Sequence, residues 1–271
     1  MRSASVVATP HPSRRPLLTA VALLVGFEAV AVGMTLFLDR VTGLDGKARD
    51  LIVEAMLAAG VVGLIAALGW WRSTGFTTPV REWRNRRLIV LPLALTLLPF
   101  LGGVRNIEVG TIGLLVVGYA LNSIAEDGMF RGIVPRVLRS RGLLVAVVVS
   151  SLLFGLAHFG NIVSRPDQSV AITAAQALGA FTQGIGLVVV RLAMDTIWPV
   201  MLVHFLGDLF GQLGGLPIVL SNVIESMVML MFGIWVYRRH RSGSERSLLA
   251  TDIEAPSADA GTSLRDGALG G

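Results

Sequence analysis

The sequence predicts an all-α integral membrane protein that crosses the bilayer about eight times and carries its functional site inside the helix bundle. Three observations point there. Of 271 residues, 53% are hydrophobic and only 15% charged, whereas a soluble domain carries about 25% charged residues. Apolar runs near the roughly 17–25 residues that a membrane helix needs recur along the chain. Most of the 23 lysines and arginines fall in alternate connections between those runs.

The elements follow in order. Residues 1–16 are Ser/Pro-rich with arginines and read as a disordered arm. Leu17–Leu38 is the first span. Its Ala29-Val30-Ala31 resembles a signal-cleavage site, but the apolar core exceeds the roughly 7–15 residues of a secretory signal, so an uncleaved anchor is expected. Leu51–Trp71 is the second span. The third, Leu88–Val104, is the weakest, because Pro92, Pro99 and Gly102-Gly103 interrupt it. Val109–Ala125, Leu143–Gly160, Val170–Val190, Ile197–Leu213 and Pro217–Tyr237 complete the set. Residues 238–271 are Ser/Gly/Asp/Ala-rich without an apolar period and read as a flexible tail. No long-period repeat is present.

Charge placement orients the chain. With the N-terminus inside, the cytoplasmic segments hold Arg72, Arg81, Arg84, Arg86 and Arg87, then Arg131, Arg136, Arg139 and Arg141, then Arg191 and the C-terminal arginines. The outer loops keep Arg40, Lys47, Arg49, Arg105 and Arg165. This bias predicts a multi-pass protein of the cell membrane with both termini cytoplasmic. A pI near 10.8 would suit a nucleic-acid partner, but the basic residues flank apolar runs and form no basic domain, so none is expected. The chain has no cysteine, which excludes disulfides, a thiol nucleophile and thiolate metal sites.

Ionisable side chains inside apolar runs are costly and therefore informative. His158 stands in "LLFGLAHF", four residues after Phe154. His204 stands in "WPVMLVHFLGD", four residues before Asp208, and residues so spaced are neighbours on one helix face. Asp127 and Arg131 share that spacing and suit an ion pair, leaving Glu126 beside it free to act. Glu28, Glu54 and Glu225 are each isolated in an apolar run and read as carboxyls at helix contacts. Asp195 reads as a cap or interfacial residue.

Familiar catalytic signatures are missing. There is no HExxH, no GxSxG, no Walker A loop and no GxGxxG. Gly207-Asp208 matches only half of the aspartyl intramembrane protease signature. What remains is one glutamate, two histidines and one aspartate. Glutamate takes a proton from water, histidine orients that water or binds a metal, and a second histidine with a polar neighbour stabilises an oxyanion. That inventory suffices for amide hydrolysis.

The same residues resemble the CPBP family, the CAAX-protease and bacteriocin-processing intramembrane proteases, which include the type II CAAX prenyl proteases. The family pattern EExxxR, often continuing as FRG, is similar to "EDGMFRG" at Glu126–Gly132. FxxxH matches "FGLAH" at Phe154–His158. HxxxN or HxxxD matches "HFLGD" at His204–Asp208. The match spans Ile112 to Leu213, so 17–104 stands as a set of membrane helices without motif and 105–237 as the catalytic bundle. The resemblance implies a glutamate-dependent endopeptidase that cleaves a membrane-associated protein or peptide near the cytoplasmic leaflet. Glu126 and His158 would activate water, His204 and Asp208 would hold the oxyanion, and Asp127, Arg131 and Phe154 would support them. Zinc is left open; if a metal is bound, Glu126, His158 and His204 would hold it and leave a fourth position for water. Two departures matter. Asp127 replaces the usual second glutamate. Asp208 stands where Asn is common, and an ionised Asp cannot donate to an oxyanion, so it must be protonated, orient His204 or ligate a metal. The same resemblance also accommodates a non-catalytic scaffold or bacteriocin-immunity factor, and buried Glu and His also suit a proton-coupled transporter.

Overall fold

The computed structural model describes residues 15–77, 85–165 and 168–253, with side chains described as far as Arg239. Of the expected arm, only Arg15 and Pro16 fall within this range. Helix α1 runs Pro16–Val41 and starts on a proline, whose missing N–H costs nothing at a first turn. Helix α2 runs Gly46–Leu68. It begins five residues before its apolar run because the Asp45 side chain accepts from Ala48 N at 2.9 Å and caps it. It ends at Gly69, whose φ of 65° suits a residue without Cβ.

The weak third span is broken, as its prolines predict. It consists of a 3-10 turn at Arg86–Ile89, α3 at Val90–Leu95 and another 3-10 turn at Leu98–Gly102. The fourth span is longer than its apolar run. Helix α4, Val109–Asp127, continues through a π-helical turn at Gly128–Ile133, α5 at Val134–Leu138 and a 3-10 turn at Arg139–Arg141. Together they form one helical segment of 33 residues. Then come α6 at Leu143–Ala157, a 3-10 turn at His158–Gly160, α7 at Asn161–Ser164, α8 at Val170–Met194, α9 at Trp198–Leu213 and α10 at Ile218–Ile253.

Among the described residues, six helices are long and apolar enough to cross a membrane. The two other expected spans are the broken third segment and α9, of 16 residues. The protein is therefore an all-α polytopic membrane protein. Helix α10 continues to Ile253, into the stretch expected as a flexible tail. Nothing stops it earlier, since no proline follows Pro217 until Pro256. The chain to Val236 forms one compact unit and Tyr237 onward another. Segments 17–104 and 105–237 are not separate bodies, because α2 packs along α4 and α1 against α5.

Within the first unit the helix ends gather at two faces. At one face Asn85 Nδ2 donates to Ala193 O at 2.9 Å, Arg191 Nη2 to Ser73 O at 2.8 Å, and Ile197 N to Gly75 O at 3.2 Å. This face also carries Arg136, Arg139 and Arg141. At the opposite face Lys47 Nζ donates to Thr111 Oγ1 at 3.4 Å. There, too, Arg105 N donates to Leu213 O at 2.8 Å and Gly215 N to Gly103 O at 2.8 Å. Small residues let the helices between these faces approach closely. A Cβ on Gly233 would lie 2.8 Å from Gly186 Cα, and one on Gly155 would lie 2.6 Å from Ala177 O.

Candidate active site

The three motifs come from different helices and meet at one cavity of about 450 Å³. Glu126 is in the last turn of α4, Arg131 in the π-helical turn, Phe154 near the end of α6, His158 just after α6, and His204 and Asp208 in α9. All six line the cavity. Asp127 does not line it. It lies behind the wall, fully buried, in an ion pair with the equally buried Arg131. The i, i+4 spacing that predicted the pair holds.

His204 sits among three carboxylates. Its Nε2 is 3.5 Å from Glu126 Oε2 and 3.5 Å from Asp208 Oδ2, and its Nδ1 is 3.3 Å from Asp127 Oδ1. A ring facing carboxylates at both nitrogens can donate at both only as an imidazolium. Phe154 is the hub that both imidazoles and the Arg131 guanidinium meet. Its ring lies 5.0 Å from that of His158 and 6.0 Å from that of His204, both edge-on. The Arg131 guanidinium lies over it, 4.3 Å from the centroid.

His158 is held differently. Its Nδ1 lies 3.0 Å from Phe154 O. A carbonyl only accepts, so Nδ1 carries the proton and Nε2 of the neutral ring is left with a lone pair. The α-helix ends at Ala157, and the tighter turn that follows begins at His158 itself.

Sequence reasoning missed Asn122. It lies one turn before Glu126 on α4, and its Nδ2 is 3.4 Å from both Glu126 Oε2 and Asp208 Oδ2. It therefore ties α4 to α9. The available signal was an amide in an apolar run four residues before the glutamate. Glu28, Glu54 and Glu225, expected as packing carboxyls, also line the cavity. The helix that carries Glu126 does not stop at Ala125 but goes on to Arg141, so the carboxylate lies midway along that helical segment. Among the described residues, no three His, Asp or Glu side chains are gathered as a metal-ligand set.

The arrangement offers a carboxylate, two imidazoles and an amide around one space. A family model, type II CAAX prenyl endopeptidase Rce1-like, matches residues 108–210, the stretch that holds all of these motif residues. No curated protein matches the chain.

Proposed function

We propose, from the match of residues 108–210 to the Rce1-like type II CAAX prenyl endopeptidase model, that the protein is a glutamate-dependent intramembrane endopeptidase of the CPBP type. The observation that carries the reading is the convergence of three separate motifs on one cavity, with Glu126, His158 and His204 all on its wall. In this reading a water sits between Glu126 and Nε2 of His158. Its oxygen attacks the peptide carbonyl carbon while Glu126 takes its proton. The tetrahedral intermediate then breaks its C–N bond, and Glu126 returns the proton to the leaving amine. The oxyanion is met by the Nε2–H of His204 and the Nδ2–H of Asn122.

This assignment removes the difficulty posed by Asp208. Asn122 supplies the amide donor that the family's usual Asn would provide, and Asp208 is left to orient His204 and Asn122 as an acceptor. Asp127 and Arg131 act at one remove, fixing the turn that presents Glu126. The substrate is a peptide or protein within the bilayer of the cell membrane, and the arginine-rich face is cytoplasmic. In this reading cleavage lies toward the cytoplasmic leaflet, where Glu126 closes the fourth apolar run, with the helix carrying on to Arg141.

The test is a Glu126→Gln exchange in the purified full chain. Loss of cleavage by about 100-fold or more is expected, with the protein still folded. Terminal-peptide mass spectrometry of membranes carrying wild type or Glu126→Gln identifies the substrate. Equal cleavage by both would sink the mechanism and leave the scaffold or immunity reading in its place.

A further inference from the structure

The cavity is not a closed chamber, and its wall tells from which side it opens. Its inner limit is Arg131, Phe154 and His204, the first two almost wholly buried. From there the lining runs along α2, α4 and α9 to Lys47 in the first turn of α2, Thr111 in the first turn of α4, and Arg165 just after α7. These residues are at the rim. The Arg165 side chain is 55% exposed and that of Asp50, also in the lining, 44%. Among the described residues of the opposite face, from Trp70 to Thr77, Asn85 to Ile89 and Gly132 to Gly142, none takes part in the lining.

The two faces differ in charge. The face away from the rim carries Arg72, Arg86, Arg87, Arg136, Arg139 and Arg141. The rim face carries Arg40, Lys47, Arg49, Arg105 and Arg165, fewer and more scattered cations, two of them beside acids. Arg49 pairs with Asp39 at 2.9 Å and with Asp50 at 2.8 Å, and Arg165 lies 4.0 Å from Asp50. Arginine-rich connections stay on the cytoplasmic side of a membrane protein. The rim is therefore on the other side.

We propose that the cavity takes its substrate from the non-cytoplasmic side of the membrane, so that the substrate class is an exported peptide or the outward-facing juxtamembrane segment of a membrane-anchored protein. This rests on the protease reading above, and it extends that reading to the side of approach.

The chain has no cysteine, so one introduced thiol is the only thiol. Gly118 and Gly207 line the cavity, and a Cβ at either meets nothing within 4 Å. Full-length Gly118→Cys and Gly207→Cys, with Arg139→Cys as the marker of the opposite face, are treated with a membrane-impermeant methanethiosulfonate. The reagent is applied to intact spheroplasts and to inside-out vesicles, with a denatured sample confirming each thiol. Positions 118 and 207 should react in spheroplasts and stay unmodified in inside-out vesicles, and position 139 should do the reverse. Reaction of 118 and 207 only from inside-out vesicles, or from neither side, overturns the proposal. The readout needs no activity, so it is separable from the Glu126→Gln test. Inverted labelling with a dead Glu126→Gln protein defeats only the side of approach. Labelling as expected with a fully active Glu126→Gln protein defeats the protease reading.

Discussion

Asn122 and Asp208 divide the roles of donor and acceptor at the site. The amide faces both Glu126 and Asp208 at 3.4 Å, and the carboxylate faces His204 at 3.5 Å. Asn122→Ala should lower kcat by about 10–100-fold with little change in KM, since an oxyanion donor acts in the transition state alone. An unchanged kcat would remove Asn122 from the mechanism. Asp208→Asn should keep activity within about 10-fold, because an amide oxygen still accepts from the imidazole. Asp208→Leu should lose far more. Steady-state cleavage of one reporter peptide compares all three. Equal loss in Asp208→Asn and Asp208→Leu would mean that the negative charge of Asp208 is itself required.

The element that matters most is the π-helical turn at Gly128–Ile133. Such turns hold an extra residue inside an α-helix and are frequent at functional sites. Here the turn lies between Glu126 and the rest of a 33-residue helix, and Asp127–Arg131 spans its entry. Asp127→Ala would leave the Arg131 guanidinium buried without its partner, a change that costs about 3–5 kcal/mol. The expected outcome is a lower thermal midpoint in detergent together with lost activity. A midpoint unchanged from wild type would show that the pair does not hold the turn. Packing between elements gives a second prediction. Gly233→Leu places a side chain against the Gly186 backbone, 2.8 Å from a Cβ already. Overpacking of about 1–3 kcal/mol should lower the midpoint, whereas Gly118→Ala, with open space at its Cβ, should not. Two equal midpoints would refute the close crossing of α8 and α10.

At the scale of the whole molecule, the protein exposes apolar side chains from Leu18 and Val25 on α1 to Met227 and Trp235 on α10. It should therefore stay in the membrane pellet after alkaline carbonate extraction and appear in solution only with detergent. Most of this architecture is legible in the sequence, because the length and composition of an apolar run nearly fix a membrane helix. The break in the third span is legible too, through Pro92 and Pro99. The site is legible as residue types on separate runs, but its meeting point is not. Nothing local to Glu28, Glu54 or Glu225 says that all three face the cavity of Glu126, because that depends on how α1, α2, α4 and α10 pack. The π-helical turn is illegible for another reason: a hydrogen-bond register leaves no mark in residue type, and so Glu126 reads as a helix end. Helix α9 has a consequence of its own. Its 16 residues reach about 24 Å, against about 30 Å of hydrocarbon. This short helix carries both His204 and Asp208, and its Trp198 and Leu202 face outward. A thick bilayer must therefore thin around the site, and acyl-chain length becomes a control on the enzyme, with turnover falling as the lipids of a proteoliposome lengthen.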